Sequence, residues 1–363
     1  MKRIVIKIGS NILTREDGNL DTTRISSIAD QVVAIRNSGC QVLLVTSGAV
    51  ACGRGIFNDV GRHDNIPTRL DTVQQRQLYS AVGQVELIGI YSRLFSSWNV
   101  RIGQVLTMKE NFSTRREYLN QRSCMETMLA NDVIPIINEN DTISVTELMF
   151  TDNDELSGLV ASMMDADTLI ILSNVDGIYN GSPEDRDSQV IRKIRIEDDL
   201  SKYIFNVKST FGRGGMLTKS SIARKIADEG IRVIIANGIR PDIIKDLYYN
   251  PDNTLCTEFI PKEGGYSSIK KWIAHSKDFT KGAVYIDDNA RKILLGDKAV
   301  SLLPVGVLRI EGDFEEGDII NILDANGEKI AIGKSSYSAK ETQLLLGKHD
   351  CRPLVSYDYL FLV

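Results

Sequence analysis

The sequence predicts an α/β protein: an open, mainly parallel sheet sandwiched by helices, followed by a small, mostly-β barrel-like module. Three observations point there. Short β-type runs alternate with helix-period segments over the first 260 or so residues. The character changes near Pro261, where short strand-like pieces and frequent turns take over. The chain of 363 residues is also long for a single core, so two domains are the default.

The elements follow in order. Residues 4–8 read as a first strand that ends at Gly9-Ser10-Asn11. Asp21 reads as the N-cap of a helix, with Ile25, Ile28, Ala29 and Val32 at helical spacing and Gly39 closing it. Residues 41–45 form the next strand and run into Thr46-Ser47-Gly48-Ala49. Later strands are expected at 101–106, 133–137, 168–172 and 232–235, with helical patterns between them at 72–98 and 218–229. The Gly/Ser-rich stretch 263–278 reads as a linker between a domain at 1–262 and a tail domain at 279–363. The tail offers strand-like pieces at 283–286, 306–310, 318–323 and 331–333, with Asp324 to Gly327 as a hairpin turn.

Composition excludes several classes. Net charge is −5, from 43 Lys and Arg against 48 Asp and Glu, which argues against a nucleic acid as the main partner. No uncharged apolar run approaches the roughly 18 residues of a membrane span. The N-terminus MKRIVIKIGS reads as a strand and not as a signal peptide. Five scattered cysteines without a CxxC pair fit reduced thiols in a cytoplasmic protein. His63, His275 and His349 lie far apart, which disfavours a His-centred metal site or triad.

In open parallel sheets ligands gather where strands hand over to helices, and four such loops carry unusual residues. Lys7 sits in an apolar strand just before Gly9-Ser10, where backbone N–H groups can approach an anion; its plain alternative is a strand-edge charge. Thr46 to Gly55 is Gly-rich and opens a helix but lacks the Gly-Lys-Ser/Thr of a Walker A loop, so a P-loop ATPase is rejected. Gly212-Arg213-Gly214-Gly215-Met216-Leu217-Thr218-Lys219 aims backbone amides, a helix start and a lysine at one spot; the bland reading is a capped helix after a flexible loop. The fourth is acidic, VIPIINENDTISVTELMFTDND over 133–154. Residues 123–185 hold thirteen Asp and Glu with no Lys, Arg or His, which raises the question of where the counter-charges are. Such a shelf can hold a metal, a substrate ammonium or the lysines of a neighbouring loop, or be a solvated surface. Phosphates would be repelled unless Lys7, Lys219 and Mg2+ intervene. A two-sided cleft follows, with lysines and glycines for phosphates and acids and amides for a cationic group.

Taken together, Lys7-Ile8-Gly9-Ser10, Thr46-Ser47-Gly48-Ala49 and Gly214 to Lys219 resemble the amino acid kinase family. Asn138-Glu139-Asn140-Asp141 followed by Asp152-Asn153-Asp154 is similar to its glutamate-phosphorylating branch. Ser301 to Gly306, Gly312-Asp313-Phe314 and Gly317-Asp318 resemble a PUA module, so the resemblance covers essentially the whole chain. It implies ATP-dependent phosphorylation of the γ-carboxylate of L-glutamate to L-glutamyl 5-phosphate, the first step of proline biosynthesis. ATP with Mg2+ would be the cofactor, with Mg2+ held mainly by the phosphates and not by side chains. Lys7 and Lys219 would neutralise the transferring phosphoryl group and Asp154 would hold the lysines. Ser47, Gly48, Ala49, Asp141 and Asn153 would bind glutamate. Lys7, Gly9, Ser173, Asn174, Arg213, Gly214, Gly215, Met216, Leu217, Thr218 and Lys219 would meet the nucleotide. Two departures stand out: Ser173-Asn174 where relatives often show Thr-Asp, and Arg213 where Thr or Ser is common. The resemblance further implies proline as a feedback inhibitor and a homo-oligomer, a dimer or tetramer. RNA binding by the tail finds no support in its charge, ten Lys and Arg against thirteen Asp and Glu from Lys281 onward.

The chemistry agrees with the resemblance. A carboxylate acceptor is already ionised at neutral pH, so the reaction needs no general base, only positioning and charge neutralisation along an in-line path. Competing readings are another family member with a different acceptor, an RNA-binding protein acting through the tail, and a catalytically dead regulator. Glu139, Glu147 and Asp152 receive no role.

Overall fold

The structure, a computed structural model, describes residues 2–15, 18–58, 70–144, 153–182, 185, 187–200, 216–264, 266–276, 279–296 and 299–363. The chain forms two compact units, one of residues 1–109 and 120–265, the other of residues 110–119 and 266–363.

The first unit runs β1 (Arg3–Ile8), α1 (Ser10–Leu13), α2 (Thr22–Asn37), β2 (Gln41–Val45), α3 (Ala49–Asn58), α4 (Thr72–Ser96) and β3 (Arg101–Thr107). It continues through α5 (Arg115–Ala130, whose first residues belong to the second unit), β4 (Val133–Glu139), α6 (Asn153–Met163) and β5 (Thr168–Ser173). After these come β6 (Lys193–Ile194), α7 (Met216–Asp228), β7 (Arg232–Asn237), α8 (Ile243–Tyr249) and β8 (Thr257–Phe259). The eight strands lie in the order β3-β4-β2-β1-β5-β7-β8-β6. Every pairing is parallel except β7 with β8. Parallel strands covered on both faces read as continuous apolar runs, and β1, β2 and β5 do so, with Ile4, Val5, Ile6, Leu43, Leu44, Leu169 and Ile171 buried. Strands β8 and β6, which close one end of the sheet and are three and two residues long, are too short to leave a period-two signal.

Helix boundaries follow local chemistry. The Asp21 carboxylate accepts a 2.9 Å hydrogen bond from the Arg24 N–H and starts α2. Asp71 and Gln74 form a reciprocal capping box at the start of α4. A Cβ on Gly83 would lie 1.9 Å from the Ala49 carbonyl oxygen, and one on Gly53 1.9 Å from that of Tyr79. The start of α3 therefore rests backbone to backbone against α4. Ile25, Ile28, Val32, Leu87, Tyr91, Phe95 and Leu247 belong to one buried core with the sheet.

The second unit carries α9 (Ser268–His275), β9 (Gly282–Ile286), α10 (Asp288–Leu294), β10 (Val307–Gly312), β11 (Ile319–Leu323), β12 (Lys329–Lys334), α11 (Ala339–Leu345) and β13 (Leu360–Leu362). Its sheet order is β10-β9-β11-β12-β13, antiparallel except between β9 and β11. The β11–β12 turn is the one expected: the Asp324 carboxylate accepts from the N–H groups of Asn326 and Glu328 at 2.9 Å. Gly327 there takes the left-handed φ of +88°.

The stretch 263–278, expected as a linker, instead contains α9. The Ser267 hydroxyl accepts from the Lys270 N–H, and Trp272 is 1% exposed. The indole N–H of Trp272 donates to the Phe112 carbonyl at 3.1 Å, and the Arg115 guanidinium stands 5.4 Å from its ring. A Gly/Ser-rich opening and a length of eight residues hide this helix from pattern reading.

Candidate active site

The candidate residues collect at the carboxyl ends of neighbouring parallel strands. Lys7 lies near the end of β1, opposite Val45 of β2 and Ile171 of β5. Chain order runs outward from β1 in both directions, to β2 on one side and β5 on the other, which is where an open sheet leaves a crevice.

At that point two lysines share one acid. Lys7 Nζ is 2.5 Å from Asp154 Oδ1 and Lys219 Nζ is 2.7 Å from Asp154 Oδ2. Asp154 is fully buried. It occupies the first turn of α6, where a negative charge also meets the favourable end of the helix dipole. Burial alone would raise its carboxyl, but the opposing ammonium groups of Lys7 and Lys219 win and hold it below the ordinary range. The contact depends on how α6 meets α7. A Cβ on Gly158, one turn after Asp154, would stand 3.1 Å from Ile226 Cγ1, so a glycine there lets α7 bring Lys219 close. Gly9 lies beside the same ammonium, since a Cβ on it would sit 3.4 Å from Lys7 Nζ.

A polar relay continues from Asp154 through its neighbour. The Asn153 amide donates to the Thr46 carbonyl at 2.7 Å, to Ser47 Oγ at 2.8 Å and to Asn138 Oδ1 at 3.1 Å. Asn138 in turn donates to Gln84 Oε1 at 2.9 Å, and its own oxygen accepts from the Glu139 N–H at 2.9 Å. Gly48 follows Ser47 with a φ of +101°, a conformation suited to glycine, and Ala49 then begins α3. Thr46 and Tyr91 share a buried 2.9 Å hydrogen bond, and burial pushes the Tyr91 phenol up to about 12, so it stays neutral.

Asp141 does not join this relay directly. Its Oδ1 accepts from Arg76 Nε at 3.1 Å and also from Arg76 Nη2. Glu139 meets the same guanidinium at 3.5 Å, and its other oxygen accepts from Ser144 Oγ at 3.0 Å. Arg76 was not among the expected site residues. Nothing near it in sequence signals its partners, which lie 63 and 65 positions away.

Cations from other elements meet several of the acids in 123–185. Lys7 and Lys219 both meet Asp154. Arg76 serves Glu139 and Asp141, Lys109 serves Glu155 at 3.2 Å, and Arg122 serves Asp165 at 2.8 Å. Arg240 grips Asp176 with two bonds of 2.6 and 2.9 Å. That hydrogen bonding, more than any other influence, holds the Asp176 carboxyl low and ties the loop after β5 to the loop after β7.

On the expected nucleotide side, Ser173 ends β5 and its hydroxyl is 3.5 Å from Asn174 Oδ1, a marginal contact. Met216, Leu217 and Thr218 form the first turn of α7, leading to Lys219. Arg213, Gly214, Gly215, Glu147 and Asp152 lie outside the described residues. Among the described residues no group of three or more His, Cys, Asp and Glu gathers as metal ligands. The carboxylate at the centre of the site is engaged by two ammonium groups.

Residues 2–237 match the family model of the amino acid kinase family, and residues 282–353 match that of the PUA domain. The chain is 57% identical over 360 residues to a glutamate 5-kinase of Bacteroides thetaiotaomicron, covering 99% of this chain and 98% of that protein. It is 43% identical to one of Chlorobaculum tepidum, covering 100% and 98%. Among solved structures, carbamate kinase from Giardia lamblia bound to AMP-PNP aligns at a TM-score of 0.52 and 17% identity, covering 72% of this chain and 99% of that one, which is a likeness of fold alone. With Lys7 near the end of β1 and Lys219 at the start of α7 meeting one buried acid, and with this agreement along its length, the chain belongs to the amino acid kinase family, on the branch of the glutamate 5-kinases it resembles throughout.

Proposed function

We propose that the protein transfers the γ-phosphoryl group of MgATP to the γ-carboxylate of L-glutamate, giving L-glutamyl 5-phosphate and ADP for proline biosynthesis. The observation that carries this reading is the Lys7–Asp154–Lys219 arrangement, two cations held by one buried acid. In the reaction a carboxylate oxygen forms a bond to the γ-phosphorus as the bond to the β,γ-bridging oxygen breaks, and no proton is abstracted. The protein's part is to place two anions in line and neutralise the charge between them. Lys7 and Lys219 are placed for that task, and Asp154 keeps both from straying. Ser47, Gly48, Ala49, Asn153 and Asp141 form the glutamate side. Gly9, Ser173, Asn174 and the 213–219 segment form the nucleotide side, and Mg2+ rides on the phosphates.

Residues 1–262 would hold this chemistry, with 279–363 as an appended PUA-like domain. Its net charge of −3 offers no ground for RNA binding. A cytoplasmic setting accords with five free cysteines. Proline as an inhibitor and a homo-oligomer rest on the family resemblance. The decisive experiment traps the acyl phosphate with hydroxylamine in the presence of glutamate and ATP. Glutamyl hydroxamate is expected; its absence, with ADP released on aspartate, acetylglutamate, carbamate or a nucleoside monophosphate instead, overturns the reading.

A further inference from the structure

The nucleotide side expected from sequence begins with two short side chains, Ser173 and Asn174, at the carboxyl end of β5. Those side chains supply little hold of their own. The Ser173 hydroxyl stands 3.5 Å from Asn174 Oδ1, and among the described residues no other side-chain hydrogen bond holds Asn174. The loop is instead fixed at points on either side. Before it, Ser173 pairs with Asn237 of β7, and the Ser173 carbonyl accepts from the Gly238 N–H at 2.8 Å. A Cβ on Gly238 would stand 3.0 Å from Leu172 Cβ, so a glycine lets the loop after β7 lie directly on the end of β5. Beyond it, the Ile178 N–H donates to Thr257 Oγ1 at 2.8 Å. Between these points Asp176 accepts four hydrogen bonds. Its Oδ1 accepts from Arg240 Nε at 2.6 Å and from Asn237 Nδ2 at 3.1 Å. Its Oδ2 accepts from Arg240 Nη2 at 2.9 Å and from the Tyr179 hydroxyl at 3.4 Å.

We propose that Asp176 and Arg240 are positioning residues for the nucleotide: their forked ion pair locks the loop after β5, so that Ser173 and Asn174 meet ATP already in place. The proposal rests on the ATP reading above. Asp176 follows Asn174 by two residues, a chain length that spans at most roughly 7 Å, so Asn174 cannot wander while the acid is gripped. The Asp176 side chain is 16% exposed and that of Arg240 is 46% exposed, so the acid is mostly covered while its partner is half open to water. Contact through both Nε and Nη2 fixes orientation as well as distance, which a point charge cannot do. The pair joins the loops that follow two neighbouring parallel strands, β5 and β7, on the edge where an open sheet gathers its ligands. Ordering these residues before the ligand arrives removes an entropic cost from binding. Cutting the tie returns that cost to the nucleotide and leaves the glutamate side, with Ser47, Asn153 and Asp141, as it was.

The test titrates the full-length protein with AMP-PNP and Mg2+ in the absence of any acceptor, and measures KM for glutamate and kcat beside it. Asp176→Asn keeps the size and loses the charge. It should raise the dissociation constant of AMP-PNP about 3- to 10-fold, the scale of a partly exposed bidentate pair. KM for glutamate, and kcat at saturating ATP, should stay within about twofold on that scale. Arg240→Met, at the more exposed end of the pair, should give a rise of the same size, and it supplies the comparison where the Asp176 variant does not fold. Arg240→Lys, which keeps the charge and loses the fork, should recover only part of the binding. In the double variant the two effects should not multiply, because either change alone already breaks the pair. Variants that melt earlier yet bind AMP-PNP like wild type show a merely structural tie and overturn the proposal. So do effects that multiply, and so does a glutamate KM that rises as much as the nucleotide constant. Wild-type protein that forms no hydroxamate from glutamate refutes the function; wild-type protein that forms it while both single variants bind AMP-PNP normally refutes this proposal alone.

Discussion

Asp154→Asn keeps the size of a fully buried side chain and removes the charge on which two ammonium groups rest, at 2.5 and 2.7 Å. Breaking a buried ion pair from one side typically costs about 3–5 kcal/mol, because the partner charge stays behind unneutralised. Here two partners are left, close enough to repel each other, so the upper part of that range applies. For a unit of this size each kcal/mol lowers the melting temperature by about 2–4 °C, so the upper part of the range, about 4–5 kcal/mol, gives a fall of about 8–20 °C. A chain of two units need not melt in one step, so the transition followed should be that of the kinase unit. The same change loosens both lysines, and losing one preorganised charge-stabilising group lowers kcat by about 100- to 1000-fold. The phosphates of MgATP supply the missing negative charge, so saturating nucleotide should raise the variant's melting temperature more than the wild type's. Calorimetry with and without nucleotide, together with initial rates, reads all three effects. A variant with kcat within threefold of wild type on that scale and an unchanged melting temperature would refute the idea that Asp154 orders the lysines. The pH dependence has a definite sign. Asp154 titrates lower folded than its ordinary 3.8, so its contribution is fully present above that value and is lost as pH falls through the folded one. Wild-type protein should lose stability below about pH 4 by a component that Asp154→Asn lacks.

Lys219→Met should lower kcat at least about tenfold with little change in the glutamate KM; an unaltered kcat would remove Lys219 from phosphoryl transfer. Asp141→Asn should mainly raise the glutamate KM, and an effect confined to the ATP KM would count against its place on the glutamate side. Gly83→Ala puts a methyl where the Ala49 carbonyl oxygen stands, 1.9 Å from the new Cβ. It should cost about 1–3 kcal/mol in chemical denaturation and raise the glutamate KM by shifting the Ser47–Ala49 loop; wild-type stability would show the α3–α4 contact to be slack.

Strands β1, β2, β4, β5 and β7 were legible because each is a mainly apolar run of five to seven residues bounded by turn chemistry. The Asp21 cap, the Asp324–Gly327 hairpin and the loop glycines follow from rules that act within a few residues. The helix α9 escaped for a related reason. Its evidence is Trp272 buried against Phe112 and Arg115, residues about 160 positions earlier in the chain.

At the site, residue types alone marked Lys7, Lys219 and the acid-rich stretch as chemically committed, and the amino acid kinase resemblance paired them. Sequence could also show that 123–185 contains no cation of its own. It could not say which cations arrive, since an ion pair leaves no local pattern when its halves lie on different elements. Asp154 receives two lysines because α6 and α7 meet at Gly158. Asp141 receives Arg76 because α4 rests on α3 through Gly83. The sequence by itself determined the α/β architecture and the inventory of charges, because periodicity and composition are local properties. Only the tertiary structure decided which charge faces which, because those distances are set by helix packing.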